Sequence, residues 1–477
     1  MKNSQNIYIL VFTLAAFTSC KGLKVTSRVE NKSVPTQFTD QVITDTTTTA
    51  IVSWRNYFTD SYLISLIDTA LVNNQELNII NQEIEISRNE VRARKGEYLP
   101  SVSGYAGAGA DKTSRYTRNG ALEATTDIEP GKAFPEPLQD YVVGVQANWE
   151  VDIWKKLRNA KKSAVNRYLS SIEGKNFMVT NLVSEISSEY YELLSLDSKL
   201  NRLNQNIEIQ NNALKIVIQQ KKSAKVTELA VRRFEAQLYG TESLKYIVEQ
   251  KIIETENRIN FLVGRFPQSV ERARSEFNDI VLNKIDMGLP SQLLDNRMDI
   301  REAELNLEAS KLDVKVAKAK FYPSLGISAG LGFQSFNPTY LIKSPESMLF
   351  SLAGDLVAPL INRNAIKADY YSANSRQIQA VFDYEKTILS AYIEVTNHLS
   401  QITNLNKSYE YKSKEVEALN QAISISNTLF KSARADYLEI LLTQEERIES
   451  QFELIELKQQ QLNAVINTYR ALGGGWN

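Results

Sequence analysis

Cysteine and histidine are almost absent from this 477-residue sequence, which has one of each. A lone Cys excludes an intrachain disulfide, and one Cys with one His argues against a Cys/His metal site. No charge of one sign dominates: 55 basic residues face 56 acidic ones, a net of −1. No basic field is there to draw in nucleic acid. Mean hydropathy is −0.30, and no apolar run of 18 residues follows the N-terminus, so a helical membrane span is not expected in the mature chain. A membrane barrel stays open, because its alternating strands leave little hydropathy signal. There is no Gly-rich phosphate loop and no catalytic set. The lone His398 falls inside a long helix, and Glu445-Glu446 reads as a solvated face. No enzyme activity, cofactor or metal is expected.

Glycine and proline are missing where their absence is most informative. Average composition puts about 12% Gly plus Pro in a chain, yet residues 365–472 contain neither over 108 positions, and residues 155–263 contain only Gly174 and Gly240. Such lengths without a breaker predict very long helices. Val179, Ile186, Leu193, Leu200, Ile207 and Leu214 recur every seven residues, as do Leu441, Ile448, Ile455, Leu462 and Tyr469. A sustained seven-residue repeat drives supercoiling. A soluble coiled coil would carry the same periodicity. Polar patches break the stretches at Lys222-Ser223-Ala224-Lys225 and at Lys431 to Asp436. The arms 155–221 and 365–432 have 67 and 68 residues, about 100 Å each at 1.5 Å per residue. The returning arms, 226–263 and 436–471, are shorter. Helical segments 74–98 and 295–319 have the length to complete them end to end, giving an antiparallel bundle in two similar halves.

Four other segments switch to period two. Tyr141, Val143, Val145, Ala147, Trp149 and Val151 share one face, and Gly144, Gln146, Asn148 and Glu150 the other. Leu325, Ile327, Ala329, Leu331 and Phe333 alternate with Gly326, Ser328, Gly330, Gly332 and Gln334. Segments 102–110 and 348–356 alternate more weakly. Their lengths suit tilted membrane strands, with an apolar lipid face and a polar lumen face. A soluble half-buried sheet fits the pattern alone. Four strands cannot close a barrel, and an open edge in lipid leaves backbone groups unpaired at several kcal/mol each. Membrane strands here therefore require several chains in one barrel. Val91 to Val102 also matches Val314 to Leu325, with Pro100-Ser101 and Pro323-Ser324 aligned, which points to an internal duplication.

Lys2 followed by an apolar stretch from Ile7 to Phe17 has the form of a signal peptide, too short to span a bilayer. Phe17-Thr18-Ser19-Cys20 resembles the lipobox of bacterial lipoproteins. That resemblance implies cleavage after residue 19 and acylation of Cys20 (palmitate among the chains), with several chains giving a stable anchor. The Thr-, Ser- and Gln-rich stretch that follows suits an extended tether.

The whole mature chain resembles the TolC-like outer-membrane efflux proteins, in particular their lipoprotein branch. Asn148-Trp149-Glu150-Val151-Asp152-Ile153-Trp154 looks like the family's passage from second strand to long helix. Leu289-Pro290-Ser291 with Leu294, Arg297, Asp299 and Ile300 looks like its "LPS..LL..RPDI" signature, with Met298 for the usual Pro. Ala317 to Ser324 and the C-terminal Ala471-Leu472-Gly473-Gly474-Gly475-Trp476 match two further motifs.

The resemblance implies a mixed α+β membrane protein. A homotrimeric channel-tunnel would have a 12-strand β-barrel, four strands per chain, and a long periplasmic α-helical coiled-coil barrel. The divisions expected are a signal peptide at 1–19, a lipid-anchored tether at 20–53, a first repeat at 54–264, an equatorial connection at 265–294 and a second repeat at 295–477. The function implied is passive conduction from a periplasmic adaptor and an inner-membrane efflux transporter to the outside, with outer-membrane lipid around the barrel. A protein-secretion conduit of the same fold and a lipid-anchored periplasmic scaffold are the alternatives. The family places the adaptor at the helical turns, here Lys222, Ser223, Ala224 and Lys225 with Ser432, Ala433 and Arg434. Asp436 to Leu442 resembles the segment that closes the tunnel. The family often has an acid where Leu442 stands, so an apolar ring of Leu438 and Leu442 is expected at the periplasmic constriction, with Glu439 the nearest charge. Ordinary coiled-coil seam residues would show the same spacing.

Overall fold

A computed structural model describes residues 28–38, 47–273, 277–431 and 437–476. Cys20, the signal peptide, and Ser432, Ala433 and Arg434 lie outside the described residues. The first series of elements is α1 (Ser61–Asn73), α2 (Gln75–Glu97), β1 (Ser101–Asp111), β2 (Leu138–Val151), α3 (Lys156–Lys222) and α4 (Glu228–Leu262). The second is α5 (Met298–Ala319), β3 (Ser324–Ser335), β4 (Met348–Val357), α6 (Asn364–Lys431) and α7 (Tyr437–Ala471). Helix, strand, strand, long helix, shorter helix thus runs twice. The long helices α3 and α6 have 67 and 68 residues, as breaker-free sequence predicts. No helix among the described residues is long and apolar enough to cross a membrane.

The described residues fall into two compact units. One contains Arg92–Ser163 and Leu307–Phe382, and with them the sheet. Its strand order is β1-β2-β3-β4, antiparallel throughout. The connection after β1 carries a short helix Arg118–Glu123 and a small hairpin of Asp127–Glu129 with Lys132–Ala133. Asp152 ends the second strand and starts α3. Its carboxylate accepts the backbone N–H of Leu157 at 3.0 Å and of Arg158 at 2.9 Å, and the Arg158 Nε at 3.1 Å. Burial pushes the Asp152 carboxyl up. The two amides and the guanidinium outweigh that and hold it below the usual carboxylate range. The family-like stretch Trp149 to Trp154 is therefore a strand end, a cap and two anchors. Trp149 donates its indole N–H to the Tyr98 carbonyl at 3.1 Å, and Trp154 donates to the Pro323 carbonyl at 2.7 Å while stacking on Tyr322.

The other unit contains Asn31–Val91, Ala164–Asn306 and Asp383–Asn477. Its core joins Trp54, Tyr57, Phe58, Leu63 and Ile67 to Ile186, Leu193, Ile259, Ile455, Leu462, Ile466 and Tyr469. Tyr57 and Tyr469 stack at 4.2 Å, nearly parallel. The Tyr190 hydroxyl donates to Asp60 at 2.8 Å, and Asp60 also caps α1 by accepting the Tyr62 N–H. Leu441, Ile448, Ile455, Leu462 and Tyr469 are all buried, as their spacing predicts. On α3 the expected seam holds only to Leu193. Beyond it the buried positions include Leu196, Leu203, Gln210 and Val217, another seven-residue row three places on. Leu200, Ile207 and Leu214 are only partly buried. The described part of the tether packs on the second long helix: Asn31 donates its backbone N–H to Glu385, and Phe38 is buried against Tyr392.

Two joints set short helices against the carbonyl ends of others. The last four carbonyls of a helix lack helical partners. At the end of α4, Asn74 donates its side-chain amide to the Leu262 carbonyl at 2.8 Å and accepts the Leu77 N–H at 2.9 Å, capping α2. Gly264, at φ +71°, closes a Schellman turn through Gly264 N–H to Phe261 O and Arg265 N–H to Asn260 O. A Cβ there would sit 2.3 Å from the Asn73 oxygen. The end of α7 repeats the plan. Gly473, at φ +98°, closes on Arg470 O, with Gly474 N–H on Tyr469 O. A Cβ on Gly473 would sit 2.5 Å from the Asn296 oxygen.

At this second joint Arg297 takes the part of Asn74. It is 5% exposed and donates to the Ala471 carbonyl at 2.8 Å, to Glu394 at 2.8 Å, and twice to Asp299 at 3.0 and 2.7 Å. Glu394 also pairs with Arg470, whose other nitrogen reaches Asn181 at 3.0 Å. One carboxylate on α6 thus serves two arginines. Removing one member of a buried ion pair costs about 3–5 kcal/mol, because the partner charge stays buried. Asp299 remains beside Arg297, so Glu394→Ala should cost near the lower end of that range, and Glu394→Gln less. The check is the thermal midpoint of the purified assembly. An unchanged midpoint for Glu394→Ala would remove Glu394 from the joint.

Candidate functional site

The sheet register separates two chemically different faces. Val143, Val145, Trp149 and Val151 stand opposite Phe333, Leu331, Ile327 and Leu325. Val102, Ala106 and Ala108 pair onto this face from β1, and Met348, Phe350, Leu352 and Leu356 from β4. No charged residue occurs on it. Phe350 and Leu352 are nearly four-fifths exposed, so a single chain leaves the face uncovered. A contiguous exposed apolar surface of this kind marks a lipid or protein contact.

The opposite face carries Ser103, Gln146, Asn148 and Ser328 between glycines. Asn148 stands opposite Ser328, and Gly144 opposite Gly332. Tyr105 lies across this pair: a Cβ on Gly144 would come within 2.8 Å of its hydroxyl, and one on Gly332 within 3.3 Å. The glycines thus make room for one aromatic ring on the wall. The charges on this face are Asp111, Asp140, Glu150 and Asp355, with no Lys or Arg among the strand residues. Gln334 donates to Asp140 at 2.9 Å, and Lys156 pairs with Glu150. Alternation read from the sequence therefore holds strand to strand. The outer edges of β1 and β4 have no strand partner within the chain.

The turn between α3 and α4 is a third Schellman closure. Ala224 N–H bonds Lys221 O, and Lys225 N–H bonds Gln220 O, both at 2.9 Å. Ala224 therefore adopts φ +53°, the left-handed region where a Cβ costs about 1–2 kcal/mol. The structure keeps the glycine geometry on alanine. Lys222, Ser223, Ala224 and Lys225 are all exposed. Below the turn, Val217, Ala230, Val231, Phe234 and Leu441 pack as one cluster. It fixes the first turn of α7: Ile440 and Leu441 face inward, while Leu438, Glu439 and Leu442 face outward. Leu438 is 37% and Leu442 51% exposed, side by side one turn apart.

The model for outer membrane efflux proteins matches residues 66–265 and 289–474. The chain belongs to the outer membrane efflux protein family. It is 25% identical over 426 residues to the pyoverdine export outer membrane protein OpmQ of Pseudomonas aeruginosa, covering 89% of this chain and 88% of the relative. It is 25% identical over 423 residues to the probable outer membrane lipoprotein SilC of Salmonella typhimurium, covering 89% and 88%. The open state of the MtrE outer membrane channel of Neisseria gonorrhoeae shares the fold with a TM-score of 0.83, at 20% identity, over 96% of this chain and 99% of that one. The chain is thus an outer-membrane component serving efflux. A periplasmic scaffold does not account for this membership or for a paired sheet with one uncharged face.

Glu394 and Arg470 escaped the sequence reading, and Arg297 entered it only as a signature letter. A mid-helix Glu and a penultimate Arg carry no local signal. Asn74 three residues before the buried Leu77 could have been read as a cap.

The two strand faces differ in what they tolerate. A charge on a lipid face near mid-membrane costs about 2–4 kcal/mol. Val145→Arg and Leu331→Arg should reduce folded protein in outer-membrane fractions, while Gln146→Arg and Ser328→Arg should be mild. Heat-modifiable gel mobility reads the difference, and equal losses from both pairs would refute the assignment of faces.

Proposed function

We propose that three copies of this chain close one twelve-strand barrel and continue as one helical tunnel, a passive outlet for a periplasmic adaptor and an inner-membrane efflux transporter. The observation that carries the reading is the sheet: one uncharged apolar face, one polar face whose charges are all carboxylates, and two open edges. In lipid those edges must pair, and further copies are the simplest source of strands. The helices also favour self-association, since Tyr239, Tyr246 and Ile253 recur every seven residues on α4 and are each more than half exposed. Cys20 is proposed as the acylated anchor, which the intact mass of the purified protein reads directly. Transport of this kind needs no bond-making by the chain, and no catalytic role is assigned to it.

The two repeats, 54–264 and 295–477, joined by a connection at 265–294, are the proposed organisation. The turn at Lys222 to Lys225, together with Ser432, Ala433 and Arg434, is proposed as the adaptor contact. The constriction is assigned to Leu438 and Leu442, with Glu439 beside them. Their exposure beside inward-facing Ile440 and Leu441 supports this, because side chains free of their own bundle are available to meet other copies. Converging apolar rings block ions by dewetting. Ser at both Leu438 and Leu442 should wet the constriction without disturbing the cluster beneath. Single-channel conductance of the purified assembly in planar bilayers, without adaptor, should rise clearly above wild type. An unchanged conductance in a correctly assembled channel would put the constriction elsewhere.

A further inference from the structure

Between the apolar cluster at the α3–α4 turn and the main core lies a layer of polar side chains inside the helices. Gln210 and Asn206 on α3 are 2% and 4% exposed, and Gln444 on α7 is 3% exposed. Neither the amide nitrogen nor the amide oxygen of Gln210 has a partner among the described residues, and the oxygens of Gln444 and Gln237 are likewise unmet. Arg447 donates to Asn206 at 2.6 Å, while its Nε has no acceptor. The ion pairs of the described residues include none to Arg447. Burial, with Arg202 nearby, pulls its pKa below the ordinary arginine value. Gln237 on α4 donates to the Leu441 carbonyl at 3.2 Å.

The helix spacing brings these groups to one level. Gln210 is one turn beyond Asn206 towards the turn, and Gln444 one turn beyond Arg447 in the same direction on antiparallel α7. Every other stretch of the α3 row is apolar: Leu196 and Leu203 on one side, Val217 on the other. A buried amide without a partner is costly, and replacing it by an apolar group of similar shape is neutral or stabilising. A fold selected only for rigidity would not keep three such amides, Gln210, Gln237 and Gln444, at one level.

We propose that Asn206, Gln210, Gln237, Gln444 and Arg447 form a hydrated slip layer, which sets how easily the α6–α7 pair moves against α3 and α4 when the channel opens. The inference rests on the proposed constriction at the first turn of α7. Sliding an apolar layer exposes hydrocarbon, whereas amides and a guanidinium exchange one water or amide partner for another. The bonds on the two sides of α7 differ accordingly. Towards α6, Lys412 bridges Glu415 and Glu453 at 2.7 and 2.6 Å. Towards α3 and α4, the layer holds α7 by two bonds to neutral acceptors, Arg447 to Asn206 and Gln237 to the Leu441 carbonyl, beside several unmet amides. The ion pair of α7 with α3, Lys199 with Glu456 at 3.8 Å, lies beyond the layer on the side away from the turn, so within the layer itself α7 is held to the hairpin without an ion pair among the described residues. At its far end Arg470 holds Asn181 of α3 and Glu394 of α6, so movement is confined to the part below.

The test replaces Gln210 and Gln444 by Leu in the full-length assembled channel, with Asn206→Leu/Arg447→Met as a separate pair. Two quantities are read: backbone amide exchange over residues 203–217 and 440–450, and the frequency of spontaneous openings in planar bilayers. A slip layer predicts at least tenfold slower exchange in both segments, a higher thermal midpoint, and at least tenfold rarer openings. Wild-type exchange and opening in both pairs would overturn it. So would a lower midpoint or failed assembly, since that means the amides are already satisfied and stabilising. If Leu438 and Leu442 prove not to be the constriction, conductance in that serine variant stays unchanged. The exchange comparison still decides for or against the layer.

Discussion

Backbone polar groups that find no water must find each other, and this constraint organises the chain from the strands to the helix ends. In the sheet it leaves the outer edges of β1 and β4 without a strand partner in the chain, and the proposed barrel meets them with other copies. At the ends of α4 and α7 it is met within the chain, by Asn74 on Leu262 O and Arg297 on Ala471 O. The two solutions differ in chemistry, a neutral amide against a guanidinium, yet occupy matching places in the repeated order of elements. Both lie beside a glycine whose backbone closely approaches the last residue of the preceding helix, Asn73 or Asn296. The charged version brings in Glu394 and Arg470, and with them α3 and α6.

Much of the architecture was legible because it depends on local signals. The 67- and 68-residue arms follow from the absence of Gly and Pro, and the break at Lys222 from a polar patch. Strand segments were read to within three residues at each end, because alternation is fixed by the pleat. The misread row on α3 has a physical reason. Leu200, Ile207 and Leu214 form an apolar row as regular as the buried one, but they are only partly covered by their own chain. Leu200 and Leu214 pack on the edge of the chain's own apolar clusters rather than inside them, and periodicity alone does not rank an edge row against a central one. Packing of the tether on α6 was also invisible, since Asn31 and Phe38 carry no pattern.

The candidate site was legible where it resembled a family and illegible where it rested on contacts distant in sequence. Leu438 and Leu442 could be named from a seven-residue stretch. The polar layer could not, because Gln210 and Gln444 are unremarkable helix residues until the fold buries them together. The alanine at 224 shows the opposite limit. The turn is dictated by hydrogen bonds that close the helix, and the chain accepts backbone strain at that alanine rather than change the turn.

The proposed barrel and the proposed tunnel share one requirement, that several chains complete them. Native mass spectrometry of the protein extracted in mild uncharged detergent measures this directly. A shared twelve-strand barrel predicts one species with three chains, which falls to single chains only when heating also unfolds the strands. A folded species with one or two chains that inserts and conducts in bilayers would contradict it.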